Sequence, residues 1–160
     1  MNPESVVPQS QNVTPVQPAP VKKSGKAAEH KIIQAVGRRK NAIARVRMVA
    51  NPDGSTIEVN GRTMDEYFGG NNRQKHEALG SLRAVKSFAG YDIFISVLGG
   101  GITGQSGAIR HGIARAMSKT DEKIRLQMRK EGYLTRDPRV VERKKPGQPK
   151  ARKRFQYSKR

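Results

Sequence analysis

The chain has 160 residues, of which 34% are hydrophobic and 5% aromatic, which suffices for one domain with a modest core but not for two. Lysine and arginine number 32 against 13 aspartates and glutamates, a formal net charge of +19, so a polyanion such as nucleic acid is the expected partner. The absence of cysteine excludes disulfides and thiolate chemistry, and no run of about 18 apolar residues offers a membrane span.

Residues 1–30 are predicted to form a disordered, proline-rich leader. This segment carries five of the nine prolines and shows no apolar periodicity. It therefore cannot bury enough surface to offset the entropy that ordering would cost. We expect the globular α+β domain to occupy residues 31–135.

The first strand is predicted over residues 32–50, where apolar and basic residues alternate from 45 to 48. The sequence Asn51-Pro52-Asp53-Gly54 is typical of a β-turn, and residues 56–59 alternate again. The expectation is a β-hairpin between these two segments, with Asn60-Gly61 ending its second strand.

Helical signals follow. Thr63 and Glu66 fit a capping box in front of a short helix that ends near a glycine pair at 69–70. Residues 71–88 are predicted to be helical at least in their first half, although Gly80 weakens a continuous helix. The second half stays open between helix and strand.

Residues 91–98 give the clearest strand, and it should be central because both of its faces are apolar, Phe94 and Leu98 lying on the second one. A helix is predicted over residues 105–119, packed on that sheet through an apolar stripe at 108, 109, 112, 113, 116 and 117. Gly107 and Gly112 would permit a close approach.

A further helix is predicted to begin after Thr120 as its N-cap, since Asp121 and Glu122 place acids at the positive end of the helix dipole. It should stop at Gly132. Beyond it, residues 136–160 carry eleven basic residues against two acidic ones, and three prolines interrupt any helix. We expect an extended basic tail, ordered by what it binds, with a full reach of roughly 80 Å.

Two groups of residues suggest phosphate binding. The first lies between residues 31 and 48, which hold six basic residues and no acidic one, a pattern that favours a phosphate-binding surface on the globular domain. The second is Gly99-Gly100-Gly101-Ile102-Thr103-Gly104, which satisfies the G-x-G-x-x-G dinucleotide pattern between a strand and a helix. Its context contradicts a dinucleotide site, because no apolar strand follows to complete the βαβ unit. The glycines either bring backbone amides close to a phosphate or form a tight turn without a ligand.

Five segments carry a resemblance to the S-nine family of bacterial small-subunit ribosomal proteins. They are GGGITGQSGAIRHGIARAM (99–117), VGRRKNAIARVRM (36–48), VNGRTMDEYF (59–68), GYLTRDPRVVERKKPG (132–147) and KARKRFQYSKR (150–160). They occur in the order of that family and extend the resemblance over about residues 32–160.

The resemblance implies an α+β fold with a mainly antiparallel sheet, helices on one face and a left-handed βαβ crossover, like domain two of ribosomal protein S-five. It implies a structural, non-enzymatic protein without a cofactor, in the cytoplasm, in the head of the small subunit. Its partners would be small-subunit ribosomal RNA, neighbouring head proteins and the anticodon stem-loop of the P-site tRNA.

The resemblance and the charge pattern together predict which residues bind RNA. The tRNA contacts expected from the resemblance are Ser158, Lys159 and Arg160. The expected ribosomal RNA contacts are Arg38, Arg39, Lys40, Arg45, Arg47, Gly100, Gly101, Gln105, Arg110, Arg136, Arg139, Arg143, Lys144, Lys145, Lys150, Arg152, Lys153 and Arg154. No metal site is expected, because His30, His76 and His111 have no neighbouring ligand pattern.

Overall fold

The structure, a computed structural model, describes residues 32–52, 56–85 and 90–159. The predicted leader at residues 1–30 and the Asp53-Gly54 half of the predicted turn lie outside these ranges.

A five-stranded sheet forms the centre of the fold. Its strands are β1 (Ile32–Arg39), β2 (Ala42–Ala50), β3 (Ile57–Val59), β4 (Arg62–Thr63) and β5 (Tyr91–Leu98). They lie in the order β1-β2-β5-β3-β4, and the β3–β5 pair is parallel while the other three pairs are antiparallel. The mixed α+β class and the central place of β5 are confirmed.

The predicted hairpin was wrong. Residues 32–50 are two strands, β1 and β2, joined by a turn at Lys40-Asn41 in which Lys40 has a φ of 49°. β2 and β3 are not neighbours, because β5 lies between them and pairs with both. The physical reason is ladder length, since β5 offers β2 eight residue pairs and the short β3 has only three residues to offer.

Five helices accompany the sheet in the described ranges. They are α1 (Met64–Phe68), α2 (Asn72–Ala78), α3 (Gly80–Ala84), α4 (Ile102–Met117) and α5 (Glu122–Lys130). The capping box is confirmed, because the Thr63 side chain accepts from the Glu66 amide while Glu66 reaches back to the Thr63 amide, and Gly69 closes α1 with a φ of 56°. The helix is interrupted at Leu79, directly before Gly80, so that α2 and α3 are separate helices.

The N-cap of α5 is Asp121 and not Thr120. The Asp121 carboxylate accepts a hydrogen bond of 3.2 Å from the Lys123 amide, whereas the Thr120 hydroxyl is buried without a partner. A carboxylate is favoured here because it also complements the positive end of the helix dipole. Gly132, with a φ of 75°, follows the helix end as predicted.

Helix α4 covers one face of the sheet and forms the core with it. The predicted apolar stripe is buried, including Ile109 and Ile113 at its centre, against Val46 and Ile95 of the strands. A Cβ atom built on Gly112 would lie 2.7 Å from Val46 Cγ2, so glycine lets the helix backbone approach the sheet as expected.

The opposite face of the sheet is open in the described part of the chain. Phe94 is 37% exposed and Leu98 62% exposed, so the second apolar face of β5 is not covered by the helices. The apolar side chains of the second face meet solvent because α4 lies on the other side. We call this surface the open face, and its central residues are Arg45, Arg47, Phe94 and Ser96.

Candidate nucleic-acid interface

The β1–β2 turn lies against the glycine loop that precedes α4. A Cβ atom on Gly99 would be 2.7 Å from the Asn41 carbonyl oxygen, and one on Gly100 would be 3.1 Å from the Ala42 nitrogen. Both glycines also have left-handed φ values, 71° and 65°, which disfavour any other residue. The fold thus unites two predicted phosphate-binding groups that lie about 60 residues apart in the sequence.

The N-terminus of α4 is exposed beside this turn. Gly101 is the N-cap and offers no side-chain acceptor. The Gly104 amide donates to the Gly101 carbonyl over 2.8 Å, while the amides of Ile102 and Thr103 remain available to an anion. Lys40, exposed on the turn, has its Cβ 4.0 Å from a Cβ built on Gly104. We call Lys40, Gly100, Gly101 and the first turn of α4 the hairpin–helix surface.

Gln105 is held at the rim of this surface. Its Nε2 donates to the Gly99 carbonyl over 3.2 Å, and its Oε1 accepts from the Tyr67 hydroxyl over 3.0 Å. Burial raises the pKa of Tyr67, so the phenol keeps the proton that it donates. Both polar ends of Gln105 are therefore bound within the chain, and its role is to fix the glycine loop.

Arg39 faces the covered side of the sheet and is engaged by carboxylates of its own chain. Its guanidinium forms an ion pair with Glu77, whose other oxygen accepts from the Ser106 hydroxyl over 3.1 Å, and it lies 3.7 Å from Asp137. The side chain is 16% exposed. A Cβ on Gly107 would lie 2.6 Å from Arg39 Nη1, so glycine makes room for this group. Arg39 thus connects β1 with α2 through Glu77 and with the start of the tail through Asp137.

The start of the tail is attached at this ion-pair cluster. Asp137 accepts hydrogen bonds from Arg139 Nη2 over 2.8 Å and Nε over 3.0 Å. These bonds, with the charge of Arg39 as a weaker cause, hold the pKa of Asp137 well below its usual range. The tail therefore leaves the domain beside the β1–β2 turn.

Within the described ranges, residues 136–159 contain neither a helix nor a strand. A turn brings the Gln148 amide to 3.3 Å from the Lys145 carbonyl, with Gly147 at a φ of 72°. Arg152 pairs with Glu142 and lowers the pKa of that carboxyl, which closes a loop over residues 142–152. The other predicted tail contacts are exposed, namely Arg136, Arg143, Lys144, Lys145, Lys150, Lys153, Arg154, Ser158 and Lys159, while Arg160 lies outside the described residues.

The first basic group is divided between two sides of the sheet. Arg38, Arg45 and Arg47 point to the open face and are exposed, whereas Lys40 belongs to the hairpin–helix surface. Arg110, half-buried on α4, has its guanidinium carbon 5.7 Å from the centre of the Tyr133 ring. Strand parity explains the division, because neighbouring residues of a strand point to opposite faces.

Sequence reasoning missed a row of α4 side chains along the outer edge of β1. Arg115 donates to the Val36 carbonyl, Lys119 donates to the Gln34 carbonyl over 2.7 Å, and His111 Nδ1 accepts from the Arg38 amide over 3.3 Å. Their spacing of four residues was a readable signal, because it places them on one side of a helix.

Glu77 was also missed. It is the one acidic residue of the basic segment from 71 to 85, which was the signal that a specific cation would pair with it.

The described residues hold neither a candidate metal site nor a candidate membrane-spanning helix. They contain no group of three or more histidines or acids that could hold a metal ion. Over the same ranges, no helix is both long and apolar enough to cross a bilayer.

Comparison with known proteins gives a consistent result. A family model described as "Ribosomal protein S9/S16" matches residues 37–160. Proteins named small ribosomal subunit protein uS9 are similar over most of their length. The one from Anaeromyxobacter sp. (strain K) is 51% identical over 125 residues, 78% of this chain and 94% of the relative. The one from Chlorobium chlorochromatii (strain CaD3) is 47% identical over 129 residues, 81% of this chain and 98% of the relative.

Proposed function

The chain belongs to the ribosomal protein S9/S16 family, and on that basis we propose that it anchors in the head of the small subunit and reaches the P-site tRNA with its tail. The family consists of structural proteins of the small subunit, located in the ribosome in the cytoplasm and not enzymes. Binding of ribosomal RNA is general in it. We propose the individual RNA contacts, the position in the head and the contact with the P-site tRNA.

The hairpin–helix surface is the proposed anchor on ribosomal RNA. It combines the positive charge of Lys40 with the uncapped amides at the start of α4, and no atom lies within 4 Å of a Cβ position built on Gly101. The backbone amides at a helix N-terminus of this kind donate hydrogen bonds to phosphate oxygens. Arg38, Arg45 and Arg47 add a second set of contacts on the open face, and neighbouring proteins of the head would cover other parts of the domain.

The tail is the proposed second contact. Its exposed cations would bind RNA phosphates along its length. Arginine would bind them through its planar fork, and lysine as a point charge. At its end, Ser158, Lys159 and Arg160 are proposed to touch the anticodon stem-loop of the P-site tRNA. The 142–152 loop shortens the reach of the tail as long as Glu142 holds Arg152.

One observation carries the proposal: Arg39 lies 3.7 Å from Asp137. This contact ties the root of the tail to the strand that leads into the hairpin–helix surface. A protein anchored by that surface would thus direct its tail from a defined point, which suits a segment that must reach one partner while the domain holds another. We further propose the domain boundary near residue 135, the likeness to domain two of ribosomal protein S-five and the left-handed crossover.

The test compares small subunits that carry the full chain with subunits that carry a chain ending at Ser158. We expect weaker binding of tRNA in the P site and equal occupancy of the protein, because most phosphate contacts remain. A chain ending at Gly147 is the contrasting variant and should incorporate poorly. Equal tRNA affinity in the first pair would contradict the tail's role.

Incorporation itself is tested by sedimentation of a cell lysate at about 200 mM salt, where weak non-specific phosphate binding is largely lost. We expect stoichiometric co-migration of the chain with the small subunit. A peak of free protein would favour a stand-alone nucleic-acid-binding module instead.

A further inference from the structure

The open face combines cations with an exposed aromatic ring in the centre of the sheet. The strand register places Phe94 opposite Arg47 and Ser96 opposite Arg45. The guanidinium carbon of Arg47 lies 5.8 Å from the centre of the Phe94 ring. The core lies on the other side of the sheet, so this ring has no packing role there.

The charge of the surrounding groove identifies its partner chemistry. The groove has a volume of about 740 Å³, and Arg45, Arg47, Arg115 and Lys119 line it against a single acid, Glu58. Such a set of charges favours a polyanion and disfavours an acid-poor peptide.

A second carboxylate on the same face is already engaged. Asp92 accepts from the Asn51 side-chain amide over 2.7 Å and from the Thr56 amide over 3.0 Å. Each of its two carboxylate oxygens thus accepts a bond from the chain itself. Cations therefore remain in the majority where Phe94 is exposed.

We propose that the open face is a binding site for an unpaired RNA nucleotide, whose base stacks on Phe94 while Arg45 and Arg47 hold the adjacent phosphates. This inference rests on the proposed function and adds a contact that phosphate binding alone does not provide. The nucleotide must be unpaired, because the bases of an A-form helix are stacked on each other and cannot present a face to a protein ring. An exposed aromatic ring on a sheet, flanked by arginine, suits such a base.

The geometry of the face supports a rigid platform. Asn60, which also lines the groove, is fixed by two bonds to Val97, since its Oδ1 accepts from the amide over 2.8 Å and its Nδ2 donates to the carbonyl over 3.1 Å. The strand that carries Phe94 is thereby held from both sides, by β2 and by β3. Little conformational entropy would be lost on binding, because the strand is already fixed, and this favours stacking of a single base.

The experiment places a photoreactive benzophenone amino acid at position 94 of the full chain and assembles it into small subunits. We expect irradiation to link the chain to ribosomal RNA at an unpaired nucleotide. Ribonuclease digestion should then release the chain from the crosslinked RNA, which identifies the partner as RNA. A crosslink to another protein would overturn the proposal, and so would the absence of any crosslink from a chain that co-sediments with the subunit. If the unaltered chain failed to co-sediment, the proposed function itself would fall.

Two substitutions test stacking as such. Phe94→Leu keeps an apolar side chain and removes the ring, so affinity for small-subunit ribosomal RNA should fall about 5- to 100-fold, the contribution of one base–aromatic stack. Phe94→Tyr keeps the ring and should retain affinity within about twofold. Equal affinities of the leucine and tyrosine variants would overturn the stacking site.

Discussion

Gly37 of β1 and Gly112 of α4 lie so close that a Cβ atom built on Gly37 would be 2.7 Å from Gly112 Cα and would overlap the Ala108 carbonyl oxygen. Backbone therefore packs on backbone where the helix crosses the edge strand. This contact determines how deeply α4 sits on the sheet, and with it the height of the helix N-terminus relative to the β1–β2 turn.

Gly37→Ala should lower the free energy of unfolding by about 3 kcal/mol, since the added methyl group meets backbone atoms that cannot rotate away. Urea unfolding of the isolated chain measures this. Gly80→Ala is the matched control, because the nearest atom to its Cβ would be 3.5 Å away, and alanine at a helical position should stabilise by roughly 0.5 kcal/mol. Equal effects of the two substitutions would contradict the close contact.

Glu77→Gln should cost about 2–3 kcal/mol, because it leaves the mostly buried Arg39 guanidinium with only the more distant Asp137 as a counter-charge. The same unfolding experiment applies. Glu122→Gln removes an exposed partner of Arg125 and should cost about 0.5 kcal/mol or less. A small effect at Glu77 would contradict a stabilising ion pair between Arg39 and Glu77.

Stability of the isolated chain should fall as the pH drops below about 6.5. Burial lowers the pKa of His111 below its usual 6.5, with the charges of Arg115 and Arg110 as further causes. Since the unfolded chain binds this proton more tightly, the contribution is complete above the unfolded pKa and is lost as the pH falls through the folded one.

Urea unfolding between pH 5 and 8 tests the role of His111, over a range above the titration of ordinary carboxylates. His111→Asn should flatten the dependence. If this variant kept the slope of the unaltered chain, His111 would not be its source.

Replacing Arg45 and Arg47 by glutamine should make the affinity for ribosomal RNA less dependent on salt. Each phosphate contact contributes roughly 0.7–0.9 to the slope of log affinity against log salt, so the slope should fall by about 1 to 2 units. Binding measured over a salt series shows this. Lys123 and Arg125, both exposed on α5, provide the matched double substitution, and an equal loss there would contradict a specific role of the open face.

Local signals in the sequence predicted local structure well. The capping box of α1, the apolar stripe of α4 and the lack of a helix or strand over the described residues 136–159 all follow from neighbouring residues. The α5 N-cap was missed by one position, because threonine and aspartate both suit that role and only the buried surroundings of Thr120 exclude it.

Strand pairing could not be predicted in the same way. The Asn51-Pro52 turn signal is local, but β2 pairs with β1 and with β5, and β5 begins about 40 residues further on. The turn that does form a hairpin, Lys40-Asn41, contains neither glycine nor proline. Because this turn was not predicted, the sequence did not show which residues of β1 face the helices and which face the open side. It therefore could not separate the exposed Arg38 from Arg39, which pairs with carboxylates.

The bonds from α4 to the outer edge of β1 have a consequence for the chain before it meets RNA. An edge strand with free amides and carbonyls invites a strand of another molecule to pair with it. Here the helix already occupies those groups with Arg115, Lys119 and His111. The chain thereby protects itself from polymerising along that edge in the interval between its synthesis and its incorporation.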